Sequence, residues 1–396
     1  MTAEPDTVIA APVLRDFVRD RAWSPPLLFV AADDSDRRRL AGLVSAGTIT
    51  AVVDPIAELS DELYHCRHTG DMSDRAAREA FKQNFLNEAD TFGVWVFFPW
   101  SGELVRYPEM QEHRSLRTFR NRNLITASEQ RLLAGARIAV FGLSVGSNVV
   151  DQFVQVGIGG AYLIGDMDRV SASNLNRMRA TMRHVGMAKI DVLACKISEV
   201  DPYIEQVHLA DGYGPEAEER LEAFKPNLIV EEVDDLVAKA RIRRWASKSH
   251  TPLIMVSDIG ERSVVDVERH DLGNVRPFNG RVKEATFNKL ADGDLSPAEE
   301  RGLLVKIVGP KHLSVRMLQS ALQVGKELAG TPQLGSAASA GAAVASVAAR
   351  AVIGQEALKS GGYALSPRRM LKLRRQAGFR DAIEAVRALR RQLRTP

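Results

Sequence analysis

Two aspartates, Asp166 and Asp168, end an apolar, strand-like run in the segment "YLIGDMDRVSASNLNRM" at residues 162–178. The polar stretch behind them carries Asn174 and Arg177. A carboxylate at the end of a strand can hold ribose hydroxyls, and an arginine fork can hold phosphate oxygens. The segment is therefore either an ordinary strand exit, with Asn174 capping its turn, or one side of a nucleotide site.

A second candidate lies upstream, in "VFGLSVGSN", which follows a buried strand pattern and opens a helix. Glycines in such a turn let the backbone approach a phosphate, and the helix N-terminus supplies amide donors. The glycine fingerprint is incomplete, because only Gly142 and Gly146 are present and Ser144 lies between them. Asp166 follows Gly146 by twenty residues, which suits a dinucleotide or an adenosine nucleotide equally well.

The segment "GDMDRVSASNLNRM" resembles the D-x-D-x-V-x-x-S-N-L-x-R motif of the ThiF, MoeB and HesA superfamily, the prokaryotic relatives of ubiquitin-activating enzymes. The resemblance continues through "VGMAKIDVLACKISEVDPYIEQV" and "LIVEEVDDLVAKARI", and it covers residues 120–270 well. Within the superfamily, it resembles ThiF-like domains of actinobacterial type. Members of the superfamily adenylate a carboxylate with ATP and Mg²⁺ and release pyrophosphate. The resemblance therefore implies an adenylyltransferase whose catalysis rests on positioning and electrostatics.

The resemblance also implies roles for single residues. Arg177 would contact the phosphates, Lys189 would lie at the α-phosphate, and Asp234 would bind the magnesium ion. Arg122, in "RNRNLI", is similar to the arginine that relatives send across a dimer interface to the γ-phosphate. A homodimer is implied with it. The predicted nucleotide-binding set is Gly142, Ser144, Gly146, Asp166, Asp168 and Asn174.

The sequence departs from the family pattern at several positions. The glycine loop is one residue short, with Ser144 where a glycine is usual. Asp235 replaces the usual asparagine after the metal aspartate, and Met178 replaces the usual glutamine after the arginine. Glu231 and Glu232 occupy positions where an acid and then a small residue or cysteine are common. We expect the altered loop to change how closely a phosphate approaches.

The two cysteines, Cys66 and Cys195, form no C-x-x-C pair, so no thiolate zinc site is encoded. Cys195 lies within a helical pattern and is expected to be buried. Cys66 has His65 and His68 beside it, which is a weak pattern for a metal site. With no cysteine in a downstream loop, we expect an enzyme that activates a small carrier protein or peptide without forming its own thioester.

The elements that position these residues follow an alternating pattern of strands and helices from residue 137 onward. That alternation predicts an α/β fold with a doubly wound, mostly parallel, Rossmann-like sheet. The first part of the chain reads as a smaller α/β domain with a hairpin at Ser101 and Gly102. We place the N-terminal domain at residues 1–110 and the ThiF-like domain, with C-terminal helices, at residues 111–396.

The chain has 396 residues, 45% apolar and 26% charged, which is typical of a soluble globular protein. Its net charge of +3 gives no reason to expect a nucleic-acid partner. From Ser366 to Pro396, however, ten basic residues face two acids, in either a solvated helix or a docking site for an acidic partner. The sequence shows no signal peptide or membrane span, and we expect a cytoplasmic protein.

Two other functions remain open from the sequence. An NAD(P)-dependent oxidoreductase would use the same glycine turn and Asp166, but it leaves Lys189 and Asp234 without a role. A non-catalytic protein, with a purely structural nucleotide pocket and a partner-binding N-terminal domain or basic tail, would account for the altered glycine loop.

Overall fold

The computed structural model describes residues 21–68, 74–273, 275–309 and 312–373, together with Glu384, Arg387 and Ala388. The chain divides into two compact units. Unit 1 holds the residues up to Arg120 together with Ala194–Pro202, and unit 2 holds Asn121–Leu193 and Tyr203–Pro396. The domain boundary between residues 110 and 111 stays a prediction.

The strands of the described residues are β1 Leu27–Val30, β2 Ala51–Val53, β3 Val94–Phe98, β4 Glu103–Tyr107, β5 Arg137–Phe141, β6 Ala161–Gly165, β7 Glu205–Leu209, β8 Leu228–Glu231, β9 Leu253–Ile259, β10 Arg262–Glu268 and β11 Gly361–Leu365. The α-helices are α1 Asp34–Ser45, α2 Ile56–Arg67, α3 Arg75–Asn87, α4 Met110–Arg117, α5 Ala127–Ala134, α6 Leu143–Val156, α7 Lys189–Val200, α8 Ala217–Phe224, α9 Leu236–Lys248, α10 Glu284–Asp292, α11 Pro297–Val308, α12 Val315–Ala321, α13 Gly335–Ile353 and α14 Pro367–Met370.

In unit 1 the described strands form a sheet in the order β1-β3-β4-β2. Strands β3 and β4 pair antiparallel across the turn at Ser101 and Gly102, as the sequence predicts, and Gly102 adopts a φ of 72° there. Phe29, Phe97 and Leu104 form the core of this sheet. Asp74 caps helix α3, since its side chain accepts a hydrogen bond from the backbone N–H of Ala77.

In unit 2 the described strands form one sheet in the order β11-β10-β9-β8-β5-β6-β7. The five strands from β9 to β7 pair parallel, whereas β9, β10 and β11 pair antiparallel. The predicted doubly wound α/β fold is therefore confirmed. The connections diverge between β5 and β8, and in such sheets ligands bind in the crevice outside the carboxyl ends of the strands at that point.

Helices cover both faces of this sheet. One face buries Ala139, Leu163 and Met255 together with apolar side chains of α8 to α11. The long helix α13 packs against α6, β9 and β10. Its small residues permit close approach, because a Cβ on Gly341 would lie 2.4 Å from Cγ1 of Val256. These small residues therefore serve the close packing of α13 on the sheet.

Helix α13, Gly335–Ile353, is long and apolar enough to cross a membrane by length and composition. Half of the apolar 18-residue stretch of this helix is buried within the protein, as in the core helix of a folded unit. The predicted amphipathic basic helix, with Phe379, Ile383, Val386, Leu389 and Leu393 along its apolar stripe, lies outside the described residues.

Candidate functional site

The turn after β5 brings the backbone of two strand exits together. Gly142 adopts a φ of 86° and donates its N–H to the carbonyl of Gly165 at 2.9 Å. A Cβ at Gly142 would lie 2.4 Å from the backbone carbonyl of Glu232, so only glycine fits. Gly146, one turn into α6, allows the helix to pack on β5, because a Cβ there would lie 3.3 Å from Val140 Cγ1.

Asp166 fastens this turn to the end of β6. Its Oδ2 accepts the N–H of Leu143, the first residue of α6, at 2.6 Å, and its Oδ1 accepts the N–H of Asp168 at 2.8 Å. Burial raises the pKa of Asp166, although Lys189 and the two backbone N–H groups oppose that rise. Each carboxylate oxygen has a second lone pair, so both bonds are compatible with the predicted contact to a ribose.

Lys189, the first residue of α7, faces the same carboxylates. Its Nζ lies 2.6 Å from Oδ2 of Asp168 and 3.7 Å from Oδ1 of Asp166. Lys189 is 6% exposed, whereas the side chain of Asp168 is 64% exposed. The exposed carboxylate therefore holds a nearly buried ammonium group, and a phosphate that contacts Lys189 must compete with Asp168.

Asn174 and Arg177 organise the short 3₁₀ turn Ala172–Asn176. Oδ1 of Asn174 accepts the N–H of Ser171 at 3.0 Å, so the N-cap of this turn is Ser171 and not Asn174, which completes the capping box from the third position. The Nε of Arg177 donates to Oγ of Ser144 at 2.9 Å. Its Nη1 donates to the carbonyl of Ser173 and to Oδ1 of Asn176. Ser144, predicted to alter the glycine loop, thus anchors Arg177 at the start of α6.

The two acids after β8 have different roles. Asp235 caps α9, with Oδ2 accepting the N–H of Ala238 at 2.6 Å, a role that the usual asparagine could also fill. Asp234 is exposed, and it makes no hydrogen bond or ion pair to any of the residues described here. Its carboxylate is thus available to a ligand.

Asp258, near the end of β9, belongs to this edge and escaped the sequence analysis. Its Oδ1 accepts from Nε2 of Gln333 at 3.1 Å, while its Oδ2 is buried without a donor from the described residues. Burial raises the pKa of Asp258 to about 6, against the effect of Gln333 and Arg177 and with a contribution from Asp234. The sequence feature that could have identified Asp258 is its place near the end of an apolar strand, at the carboxyl edge of the sheet.

The first of the two glutamates at the end of β8 is held by buried cations. Lys239 Nζ lies 2.8 Å from Oε1 of Glu231, and Nη1 of Arg243 contacts the other oxygen. Nε of Arg243 also lies 2.7 Å from Glu268 on β10. Burial opposes the charge of Glu231, but Lys239 and Arg243 keep its pKa below the usual value. This network fixes the strand exit that carries Asp234.

The second glutamate, Glu232, lies under the first turn of α6, with its side chain close to Gly146. It accepts a hydrogen bond from the backbone N–H of Val256 on β9. Burial, helped by the negative charge of Glu231, raises the pKa of Glu232 well above its usual value. Glu232 is therefore a hydrogen-bonded side chain that packs between α6 and β9.

The structure brings together six of the predicted residues: Gly142, Ser144, Gly146, Asp166, Asp168 and Lys189 around the start of α6, with Arg177 joined to them through Ser144. Arg122 is exposed in the turn before α5. Asp234 interacts electrostatically with Asp258, since its negative charge helps to raise the pKa of the Asp258 carboxyl group. The roles given to these residues stay predictions.

The cysteines and neighbouring histidines take structural positions. Cys195 is 8% exposed within α7, as predicted, and Cys66 is half-buried on α2. The ring of His68 stacks on Tyr64. Across the described part of the chain, no three His, Cys, Asp or Glu side chains are grouped as a metal site requires.

Comparisons with known proteins place the chain in a family. The model of the ThiF family matches residues 118–352, more than half of the chain. An uncharacterised protein of Mycobacterium tuberculosis (strain CDC 1551 / Oshkosh) is 33% identical over 269 residues, which are 67% of this chain and 37% of that protein. The tRNA threonylcarbamoyladenosine dehydratase of Bacillus subtilis (strain 168) is 26% identical over 39% of this chain and 61% of its own.

The chain therefore spans between about a third and three fifths of the length of these relatives. Among solved structures, E. coli MccB with ATP aligns over 78% of this chain and 88% of its own, with 14% identity and a TM-score of 0.42. The residues matched by the family model include the turn after β5, the segment with Asn174 and Arg177, and the exit of β8. This chain belongs to the ThiF family.

Proposed function

We propose that this protein is an adenylyltransferase that activates a carboxylate with ATP and releases pyrophosphate. The observation that carries the proposal is the convergence of Lys189, Arg177 and the N-terminus of α6 at the carboxyl edge of the sheet. Two cations and a row of helix amide groups suit a triphosphate, because they neutralise its charge and hold it in place. Membership of the ThiF family supports the same activity.

In the proposed reaction an oxygen of the acceptor carboxylate attacks the α-phosphorus of ATP. The bond between the α-phosphorus and its bridging oxygen to the β-phosphate breaks, and pyrophosphate leaves with the electron pair. Asp166 would hold the ribose, and Lys189 would stabilise charge at the α-phosphate after leaving Asp168. Arg177 is already fixed by Ser144 through Nε, so its guanidinium is preorganised for the phosphates.

The residues at the exit of β8 fit a magnesium ion. Asp234 offers an exposed carboxylate, and Asp258 adds a carboxylate oxygen that lacks a donor among the residues the structure describes. Oxygen ligands of this kind are those that Mg²⁺ prefers, with water completing the shell. Asp234 would hold the ion, which would neutralise charge on the phosphates of ATP.

The finer parts of the proposal concern the acceptor and the assembly. We propose the C-terminus of a small carrier protein or a peptide as the acceptor. We propose no thioester on the enzyme, because Cys195 is buried and Cys66 is half-buried on a helix of unit 1. Arg122 would act across the interface of a homodimer in the cytoplasm. The relative from Bacillus subtilis is named for a tRNA nucleoside, so an RNA acceptor is the alternative to be tested.

Two measurements test the activity. ATP with Mg²⁺ is expected to raise the melting temperature of the protein, whereas NAD and NADP leave it unchanged. Labelled pyrophosphate is then expected to enter ATP only when a carboxylate acceptor is present. Stabilisation by NAD or NADP without stabilisation by ATP would favour the oxidoreductase instead. ATP binding without exchange, for carrier proteins, peptides and tRNA alike, would favour a non-catalytic protein.

A further inference from the structure

A cleft of about 810 Å³ opens in unit 2 beside the proposed nucleotide site. Its walls come from the turn between β9 and β10, from helix α12, from the segment before α13 and from α14. Gly260 forms the tight point of the β9–β10 turn with a φ of 62°, and a Cβ there would lie 3.1 Å from Cγ of Met317. The cleft is therefore bounded by a turn that packs directly on a helix.

The charge of the cleft is strongly one-sided. Four arginines line it, Arg262, Arg316, Arg368 and Arg369, with Glu261 as the one acid of its lining. Glu261 pairs with Arg368 at 3.3 Å. Arg316 and Arg369 are exposed, and neither has an ion-pair partner within the ranges that the structure describes. Two guanidinium groups are therefore available to an anionic ligand.

Most of the remaining lining is aliphatic and consists of the side chains of Ile259, Leu313, Val315, Met317, Pro332, Leu334 and Leu373. Gly260 and three serines, Ser314, Ser320 and Ser366, complete it. None of the lining residues is aromatic. Sequence-tolerant binding of single-stranded RNA commonly uses aromatic side chains on which bases stack. An aliphatic floor with arginines around it suits a peptide that carries both aliphatic and acidic side chains.

The cleft is connected to the proposed nucleotide site by short contacts. Asp258, whose neighbour Ile259 lines the cleft, accepts a hydrogen bond from Gln333, which lies between Pro332 and Leu334. The carbonyl of Gln333 in turn accepts from Nδ2 of Asn176, the residue before Arg177, at 2.8 Å. Leu334 lines both the cleft and a smaller groove that contains Arg177. An extended chain in the cleft thus lies next to the proposed site.

We propose that this cleft binds the acceptor, and that the acceptor is an acidic peptide segment with aliphatic side chains, held by Arg316 and Arg369 and directed with its carboxyl end toward Arg177. The proposal rests on the adenylation activity proposed above, and it specifies the acceptor of that same site. The two exposed arginines would select the ligand by its charge, because an acidic segment gains two charge contacts and a basic segment is repelled.

The probe is a fluorescein-labelled decapeptide of alternating glutamate and leucine with a free carboxyl end, followed by fluorescence anisotropy at low ionic strength. We expect it to bind the full-length protein at least tenfold more tightly than the matched peptide of glutamine and leucine. Combined R316E and R369E should weaken binding at least tenfold. The charge-matched control, R131E with R220E, reverses two exposed arginines elsewhere in unit 2 and should change it less than twofold.

Equal affinity for the two peptides, or equal loss in the control variant, would overturn the proposal. A ten-nucleotide oligouridylate that binds more tightly, and is released by R316E with R369E, would assign the cleft to RNA and overturn it as well. The melting temperature with ATP is measured on the same samples. ATP binding without peptide binding overturns the cleft assignment alone, whereas peptide binding without ATP binding overturns both the acceptor role and the proposed activity.

Discussion

The Nε of Arg177 donates a hydrogen bond to Oγ of Ser144 at 2.9 Å, so the residue that replaces a glycine in the first turn holds the arginine of the following segment. Ser144, the residue that departs from the family's glycine loop, and Arg177, the candidate phosphate-binding residue, are therefore joined by one hydrogen bond. A glycine at this position would lack the hydroxyl that fixes the guanidinium.

Ser144→Ala is expected to weaken ATP binding, because the loss of one hydrogen bond to a charged group costs at least about 1.5 kcal/mol, or roughly tenfold in Kd. Isothermal titration with ATP and Mg²⁺ measures the change. The control is Ser147→Ala on the same helix, whose hydroxyl donates a long hydrogen bond of 3.4 Å to the carbonyl of Ser144. Equal effects of the two substitutions would contradict a specific role for the Ser144 hydroxyl.

Lys189→Met is expected to weaken ATP binding by about tenfold or more, since it removes a nearly buried positive charge and leaves Asp166 and Asp168 without their cation. Lys189→Arg keeps the charge and should retain more of the affinity. Lys248→Met, at the exposed end of α9, is the control. An unchanged Kd in a folded Lys189→Met protein would exclude Lys189 from the phosphate site.

Asp258→Asn is expected to stabilise the protein without ligand, and more so at pH 8 than at pH 4.5. The pKa of Asp258 is about 6 in the folded protein, which is higher than in the unfolded chain. The free energy of unfolding therefore falls as the pH rises between these two pKa values, because Asp258 ionises less readily in the folded protein. The substitution removes that cost, which is at most about 3 kcal/mol at pH 8. Urea unfolding at the two pH values measures it, and an equal gain at both would reject the explanation.

Gly142→Ala is expected to destabilise the fold by at least about 2 kcal/mol, because the new Cβ would meet the Glu232 backbone and the residue keeps a positive φ. The matched control is Gly302→Ala in α11, where a Cβ meets nothing within 4 Å. That change should stabilise the helix by about 0.5–1 kcal/mol. Thermal unfolding of both variants decides, and a neutral Gly142→Ala would show that the turn can rearrange.

Arg122 is expected to act on the partner subunit's nucleotide. Arg122→Ala and Lys189→Met are each expected to be inactive alone, whereas mixed subunits regain up to about a quarter of the activity, since half of the dimers then hold one intact site. Pyrophosphate exchange in the mixture measures this. Failure to recover any activity, with dimers that exchange subunits, would place Arg122 in its own subunit's site or outside both.

The sequence predicted those features that depend on local pattern. The strand-helix alternation gave the sheet of unit 2, and the turn residues Ser101 and Gly102 gave the hairpin of unit 1. Strand β11 was missed because Gly361 and Gly362 open it and most of its residues are exposed, so it lacks an apolar pattern. Pairing with β10, from a distant part of the chain, defines it.

The candidate site was predictable as a set of residues but not as a set of contacts. Motif spacing identified Lys189 and Asp168, yet their 2.6 Å contact depends on how the turn before α7 packs. Asp258 belongs to no motif and reaches the edge only because β9 lies next to β8. The partner of Ser144, thirty-three residues away, could likewise be identified only in the folded chain.

Arg243 contacts Glu231 on β8 and Glu268 on β10, the two strands that flank β9. Sliding β8 or β10 by one residue would turn its carboxylate to the opposite face and leave the buried guanidinium with one partner fewer. The arginine therefore favours one register for each of the two strands on either side of β9. Apolar residues of similar volume would also fill the core at this place, but with them a shifted strand register would leave no buried charge without a partner.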